Sequence, residues 1–115
     1  MKSLSDTRSH LTDDRLAEIV RRLVAAFSPR AIYLFGSQVS GLACRDSDVD
    51  VMVVLEEAPP QANLFQLGYA ALRGLGLPVE LHFATRARFE RFADVFGSLP
   101  NEIRRKGVLL YAPET

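Results

Sequence analysis

The residues best placed to do chemistry in this chain are Gly36-Ser37 and, after ten intervening residues, Asp48-Val49-Asp50. In an extended strand successive side chains alternate faces, so Asp48 and Asp50 point the same way. Two carboxylates aimed at one place repel each other, and the pair is costly unless a cation lies between them. A solvated strand start is the plain alternative for the aspartates, and Gly-Ser alone is an ordinary turn. The two together, at this spacing and between apolar segments, have the layout that holds a nucleoside triphosphate and its magnesium.

Nucleotidyl transfer sets definite requirements. A hydroxyl attacks the α-phosphorus, pyrophosphate leaves, and two magnesium ions about 4 Å apart steady the entering and departing oxygens. Magnesium takes hard oxygen ligands from carboxylates and phosphates. The triphosphate also needs backbone N–H donors at close approach, which a glycine permits. Gly36 ends an apolar run, and the N–H and Oγ of Ser37 can reach a β- or γ-phosphate. Ser40 and Gly41 can extend that loop. Asp48 and Asp50 can bridge the metals. A third acid is expected from a neighbouring strand, and Glu80 lies in Val79-Glu80-Leu81-His82-Phe83. Alternation puts Glu80 and His82 on the face opposite Val79, Leu81 and Phe83. Glu80 buried unpaired among these apolar residues would be costly. It therefore reads as a metal ligand or as the base for the attacking hydroxyl, against the alternative of a surface carboxylate on an edge strand. For His82 a satisfied structural histidine is the default, with contact to the nucleotide as the sharper option.

Gly-Ser, ten residues, Asp-x-Asp and a hydrophobic strand resemble the minimal nucleotidyltransferase family of the DNA polymerase beta-like superfamily. The resemblance covers nearly the whole chain. It implies a two-magnesium enzyme that moves a nucleoside monophosphate, AMP from ATP or the equivalent from another nucleoside triphosphate, to a hydroxyl. Relatives of this size are often paired with a small helical HEPN-type protein, as antitoxin to its ribonuclease toxin, and some transfer AMP to a tyrosine of that toxin. By the family pattern Gly36 and Ser37 bind phosphate, and Asp48, Asp50 and Glu80 are the catalytic, metal-binding acids; Ser40 is added to the phosphate-binding residues by its place in the loop, not by the family pattern. Two departures bear on turnover. The family often has Gly-Ser-Arg-x-Arg-Gly, whereas this chain has Gly36-Ser37-Gln38-Val39-Ser40-Gly41. A neutral hydrogen bond from Ser40 is roughly half as strong as the charge-assisted one it replaces. The third acid is also Glu where Asp is common. A non-catalytic antitoxin that neutralises by complex formation is the alternative function.

The elements that must position these residues can be traced along the chain. Leu16, Ile19, Val20, Leu23, Val24 and Phe27 fall at helical spacing after a candidate N-cap at Thr12, and Ser28-Pro29 stops that helix. Ala31 to Phe35 and Asp48 to Leu55 predict buried strands. Leu64, Leu67, Gly68, Ala71, Leu72 and Leu75 predict a second helix closed by Gly74, Gly76 and Pro78. Val79 to Phe83 predicts a third strand. Phe89, Phe92, Ala93 and Phe96 predict the core-facing stripe of a short helix. Ser98 caps a last helix with Pro100 in its first turn, Ile103 inward and Gly107 at its end, and Val108 to Tyr111 predicts a final strand. The class is α/β or α+β, a small mixed sheet flanked by helices. Residues 1–115 read as one domain, with 1–10 frayed.

Composition narrows the setting. Nearly half of the 115 residues are apolar, and 14 acidic residues balance 14 basic ones. That balance argues against a protein that coats nucleic acid. The single cysteine, Cys44, fits a reducing compartment. Nothing at the start reads as a signal peptide, and no apolar run approaches the ~20 residues of a membrane span. The chain reads as cytoplasmic, with a nucleoside triphosphate and a HEPN-type protein as partners and a homodimer left open.

Overall fold

The computed structural model describes residues 13–36, 48–57 and 63–113. The first ten residues, expected to fray, and the expected cap Thr12 lie outside them. Among the described residues eight elements follow one another: α1 (Asp13–Phe27), β1 (Ala31–Phe35), β2 (Val49–Leu55), α2 (Leu64–Ala71), β3 (Val79–Thr85), α3 (Arg86–Ala93), α4 (Leu99–Lys106) and β4 (Val108–Tyr111). The strands form one mixed sheet in the order β3-β2-β1-β4. β1 runs antiparallel to both β2 and β4, and β2 runs parallel to β3. An antiparallel pair needs only a short connection. The parallel pair needs a crossover, which α2 supplies.

Period-2 alternation sorts the strand side chains into two layers. Val49, Val51, Val53 and Leu55 of β2 join Ile32, Leu34 and Leu81 on one face, against Leu16, Ile19 and Leu23 of α1. α2 lies on the same face. Gly68 lets it approach closely, because a Cβ there would run into the Leu81 side chain and come within 3.3 Å of the Phe83 ring. On the other face Met52 and Val54 pack with Phe89 of α3 and Ile103 of α4. Those two helices cover only part of that face, the part beside Met52, Val54 and Ala84. The rest carries Asp50, Glu80 and His82.

The last two helices are joined by their caps. Ser98 Oγ accepts from Asn101 N–H at 3.2 Å and donates to the Phe92 carbonyl at 2.6 Å, while Asn101 Nδ2 donates to the Ala93 carbonyl at 2.7 Å. Orphan groups at the end of one helix and the start of the next are satisfied together. Ser98, Pro100, Ile103 and Gly107 take the expected roles.

Two expectations are corrected. The second helix ends at Ala71 rather than near Leu75, with the Leu72 N–H bonded back to Gly68 and Ala70 and positive φ at Gly74 and Gly76. Leu72 and Leu75 still reach the core from the turn. Phe96 is not core: α3 stops at Ala93, and Phe96 falls in the following turn, 85% exposed, with the Arg105 guanidinium 5.5 Å from its ring centre.

On α1, Glu18 accepts from Arg21 and Arg22, and Arg22 also donates to the Arg73 carbonyl at 2.9 Å. This fastens α1 to the chain leaving α2. The hydrogen bonds from Arg21 and then Arg22 lower the Glu18 pKa to about 2. A depressed carboxylate contributes stability that is present above its ordinary value near 4.5 and lost as pH falls toward 2. The cluster is at the surface, so the effect is small. Glu18→Gln is expected to lower Tm by about 1–2 °C at pH 7 and by nothing measurable at pH 2, read by circular dichroism melts.

No helix among the described residues is long and apolar enough to cross a membrane.

Candidate active site

Asp50 occupies the second position of the central strand β2, where it pairs in register with Phe35 of β1 and Glu80 of β3. The parallel register therefore brings together two carboxylates thirty residues apart in sequence. His82 lies two residues beyond Glu80 on the same face of β3. Its Nε2 is 3.6 Å from Asp50 Oδ1 and 3.8 Å from Glu80 Oε1. Both distances exceed a hydrogen bond. Nε2 is shut off from water and has no hydrogen-bond partner among the described residues. The ring edge of His82 rests on Phe35, with centroids 5.0 Å apart.

Burial raises the Asp50 pKa above the ordinary aspartate value, and the charge of Glu80 raises it further; His82 partly offsets this, and Asp48 adds to it. The side chain of Asp50 is 23% exposed and that of Glu80 53%. The premise that Glu80 is buried is thus corrected. β3 is an edge strand, and Glu80 is half in solvent. What marks it out is its place beside Asp50.

These residues fit a divalent cation. One donor atom each from Asp50, Glu80 and His82 falls within 4.8 Å of the others. Two donors on one ion, each about 2.1 Å from it, lie roughly 3.0–4.2 Å apart, and both His82 distances fall in that range. The orphaned nitrogen and the raised Asp50 pKa are both relieved by positive charge at this spot.

Gly36, the residue after β1, has φ +83°, and a Cβ there would collide with the Asp50 carboxylate, coming within 3.2 Å of its Cγ. Only glycine combines that backbone conformation with that close approach. The first residue of the Gly-Ser motif is therefore in contact range of the second aspartate of the Asp-x-Asp motif. Asp48 stands just ahead of β2 and is exposed. It lies outside the group of three donors, yet its charge is felt at Asp50. Ser37, Ser40 and Gly41, together with Cys44 and Arg45, lie outside the described residues.

Of the sequence-derived candidates, then, Asp50, Glu80 and Gly36 converge, with Asp48 adjacent. His82, assigned to structure by default, joins them. The signal for it was the alternation that put it on Glu80's face. The arginines of α3 do not line the site. Arg86 follows the far end of β3, about 17 Å along the strand from Glu80, and pairs with Glu56 and Glu90. A hollow of about 540 Å³ between α1 and β4 lies on the opposite face and is mostly apolar, lined by Leu16, Val20, Val24 and Leu110 together with Asp13 and Arg21. It offers nothing for phosphate chemistry.

Comparison with known proteins supplies the context. The model of the nucleotidyltransferase domain family matches residues 14–110. The protein adenylyltransferase MntA of Thermococcus cleftensis is 37% identical over 81 residues, which is 70% of this chain and 77% of that protein. Among solved structures, a toxin–antitoxin with AMP-PNP matches with a TM-score of 0.61 at 20% identity, over 86% of this chain and 74% of that one. A chain from Sulfolobus solfataricus, provisionally described as a nucleotidyltransferase, matches with a TM-score of 0.60 at 20% identity, over 88% and 81%. The two structural matches show that this chain shares its fold with those proteins.

Proposed function

Because this chain belongs to the nucleotidyltransferase domain family, we propose that it moves AMP from ATP to a hydroxyl on a HEPN-type toxin and is that toxin's antitoxin. The observation that carries the reading is the convergence of Asp50, Glu80 and His82, with Asp50 beside a glycine whose missing side chain leaves room for its carboxylate. The relative named as a protein adenylyltransferase supports protein as the acceptor. The toxin–antitoxin structure with AMP-PNP supports the setting and the adenine nucleotide.

The reaction needs three things of the chain's own residues. Gly36 and the loop after it, with Ser37 and Ser40, hold the triphosphate. Asp48, Asp50 and Glu80 gather negative charge on one face, so that divalent cations, magnesium in this reading, are held there. Such ions when bound neutralise the charge on the phosphates and on both the entering and leaving oxygens. The acceptor oxygen bonds to the α-phosphorus, the bond to the bridging oxygen breaks, and pyrophosphate departs with that electron pair. The hydroxyl proton passes to a carboxylate, for which Glu80 is the more solvent-open of the paired acids.

The test uses ATP labelled on the α-phosphate, magnesium and the partner toxin. Label is expected on the toxin with wild type and none with the Asp48→Ala, Asp50→Ala double variant. Equal labelling by the double variant removes the enzyme reading. A second reading, neutralisation by binding alone, is favoured by Gln38 and Ser40 standing where relatives often carry arginine. It expects no label but undiminished neutralisation by the double variant.

A further inference from the structure

We propose that His82 is itself a metal ligand, so that the site holds a nitrogen donor beside its carboxylates and prefers manganese(II) to magnesium. The proposal rests on the transferase reading for the location of the ion and goes beyond it in the ion's identity. Three observations support it. Nε2 is the atom of His82 that faces the acids, at distances too long for hydrogen bonds and suitable for donors sharing an ion. That atom has neither water nor a partner among the described residues, a costly state for a polar atom. And the ring packs against Phe35, with centroids 5.0 Å apart, which limits how freely it could turn away.

Imidazole changes which ions the site favours. Magnesium prefers a shell of oxygens alone and keeps its waters, whereas first-row transition ions accept imidazole readily. Manganese(II) tolerates both an octahedral oxygen shell, as phosphates and carboxylates demand, and a nitrogen in it. Nitrogen in place of one oxygen therefore shifts preference toward manganese without disturbing the geometry phosphate chemistry needs. The ligand form is the neutral imidazole, so binding releases any proton Nε2 carried.

The experiment uses the full chain and manganese(II) alone as probe. Pulsed electron paramagnetic resonance of the manganese-loaded protein is expected to show modulation from a directly bound ¹⁴N, replaced by ¹⁵N coupling when histidine is labelled. His10 is the other histidine, and His10→Gln should leave the modulation unchanged. In His82→Gln, with His82→Asn in parallel, it should vanish, and manganese affinity should fall tenfold or more while magnesium affinity stays within about twofold. The isotope arm reads the wild type and so does not depend on any variant folding. Manganese bound through oxygen alone overturns the proposal and leaves the transferase reading standing. So does an equal loss of magnesium and manganese affinity in His82→Gln. If manganese binds through nitrogen but no label reaches any protein, the proposed function fails and this inference survives. If neither ion binds the wild type, both fall.

Discussion

Asn in place of Asp50 is expected to abolish nucleotidyl transfer and yet leave the metal-free protein more heat-stable than wild type. The loss of activity follows from position: Asp50 stands opposite Glu80 in the strand register and 3.6 Å from His82 Nε2, and it is the less exposed of the two acids. Removing the central charge removes several kcal/mol of transition-state stabilisation, which is about 10³-fold or more in rate. The gain in stability follows from electrostatics. Burial and then the neighbouring Glu80 raise the Asp50 pKa. For an acid raised on folding, the folded state favours the protonated form. The penalty is therefore absent well below the ordinary aspartate value, grows as pH rises through the raised one, and is complete above it. Melts in EDTA between pH 4 and pH 8 should show the variant's advantage opening with pH, to roughly 2–4 °C. Saturating divalent ion should reverse the order, since only wild type binds it well. An unchanged gap across that pH range would refute the electrostatic account.

Gly36→Ala is expected to cost both fold and activity. The backbone at φ +83° is one that alanine adopts at a cost of about 1–2 kcal/mol. The new methyl group also has nowhere to go except into the Asp50 carboxylate. Either the chain after β1 shifts or Asp50 rotates off its partners, and both outcomes spoil the site. A Tm drop of about 5–10 °C and a loss of transfer of at least 100-fold are expected from strain plus misplacement. Divalent affinity, followed by calorimetry, separates the two causes. It falls if Asp50 is displaced and holds if only the chain after β1 has shifted.

Much of this arrangement was legible from local pattern. The strands follow from β-branched runs, and α4 follows from Ser98, Pro100 and Gly107, because caps and punctuation act within a few residues. The acids were legible because their types and spacing carry the chemistry wherever the strands lie. What local pattern does not encode is pairing. That β3 is an edge strand, leaving Glu80 half exposed, depends on the sheet order. That His82 Nε2 faces Asp50 depends on the parallel register of β3 with β2. Phe96 shows the converse failure: its helical spacing from Phe89 and Phe92 was real, but the helix had already ended at Ala93.

The crossover between β2 and β3, from Glu56 to Pro78, also governs when the acids meet. Asp50 and Glu80 come from opposite sides of a long crossover connection, and pairing across such a connection is slow to form in folding. Until that step the two carboxylates are strangers in solution, so the early chain is spared their mutual repulsion. A divalent ion then has no site to occupy before β2 and β3 pair. Its influence falls on how long the finished molecule survives, rather than on how fast it forms.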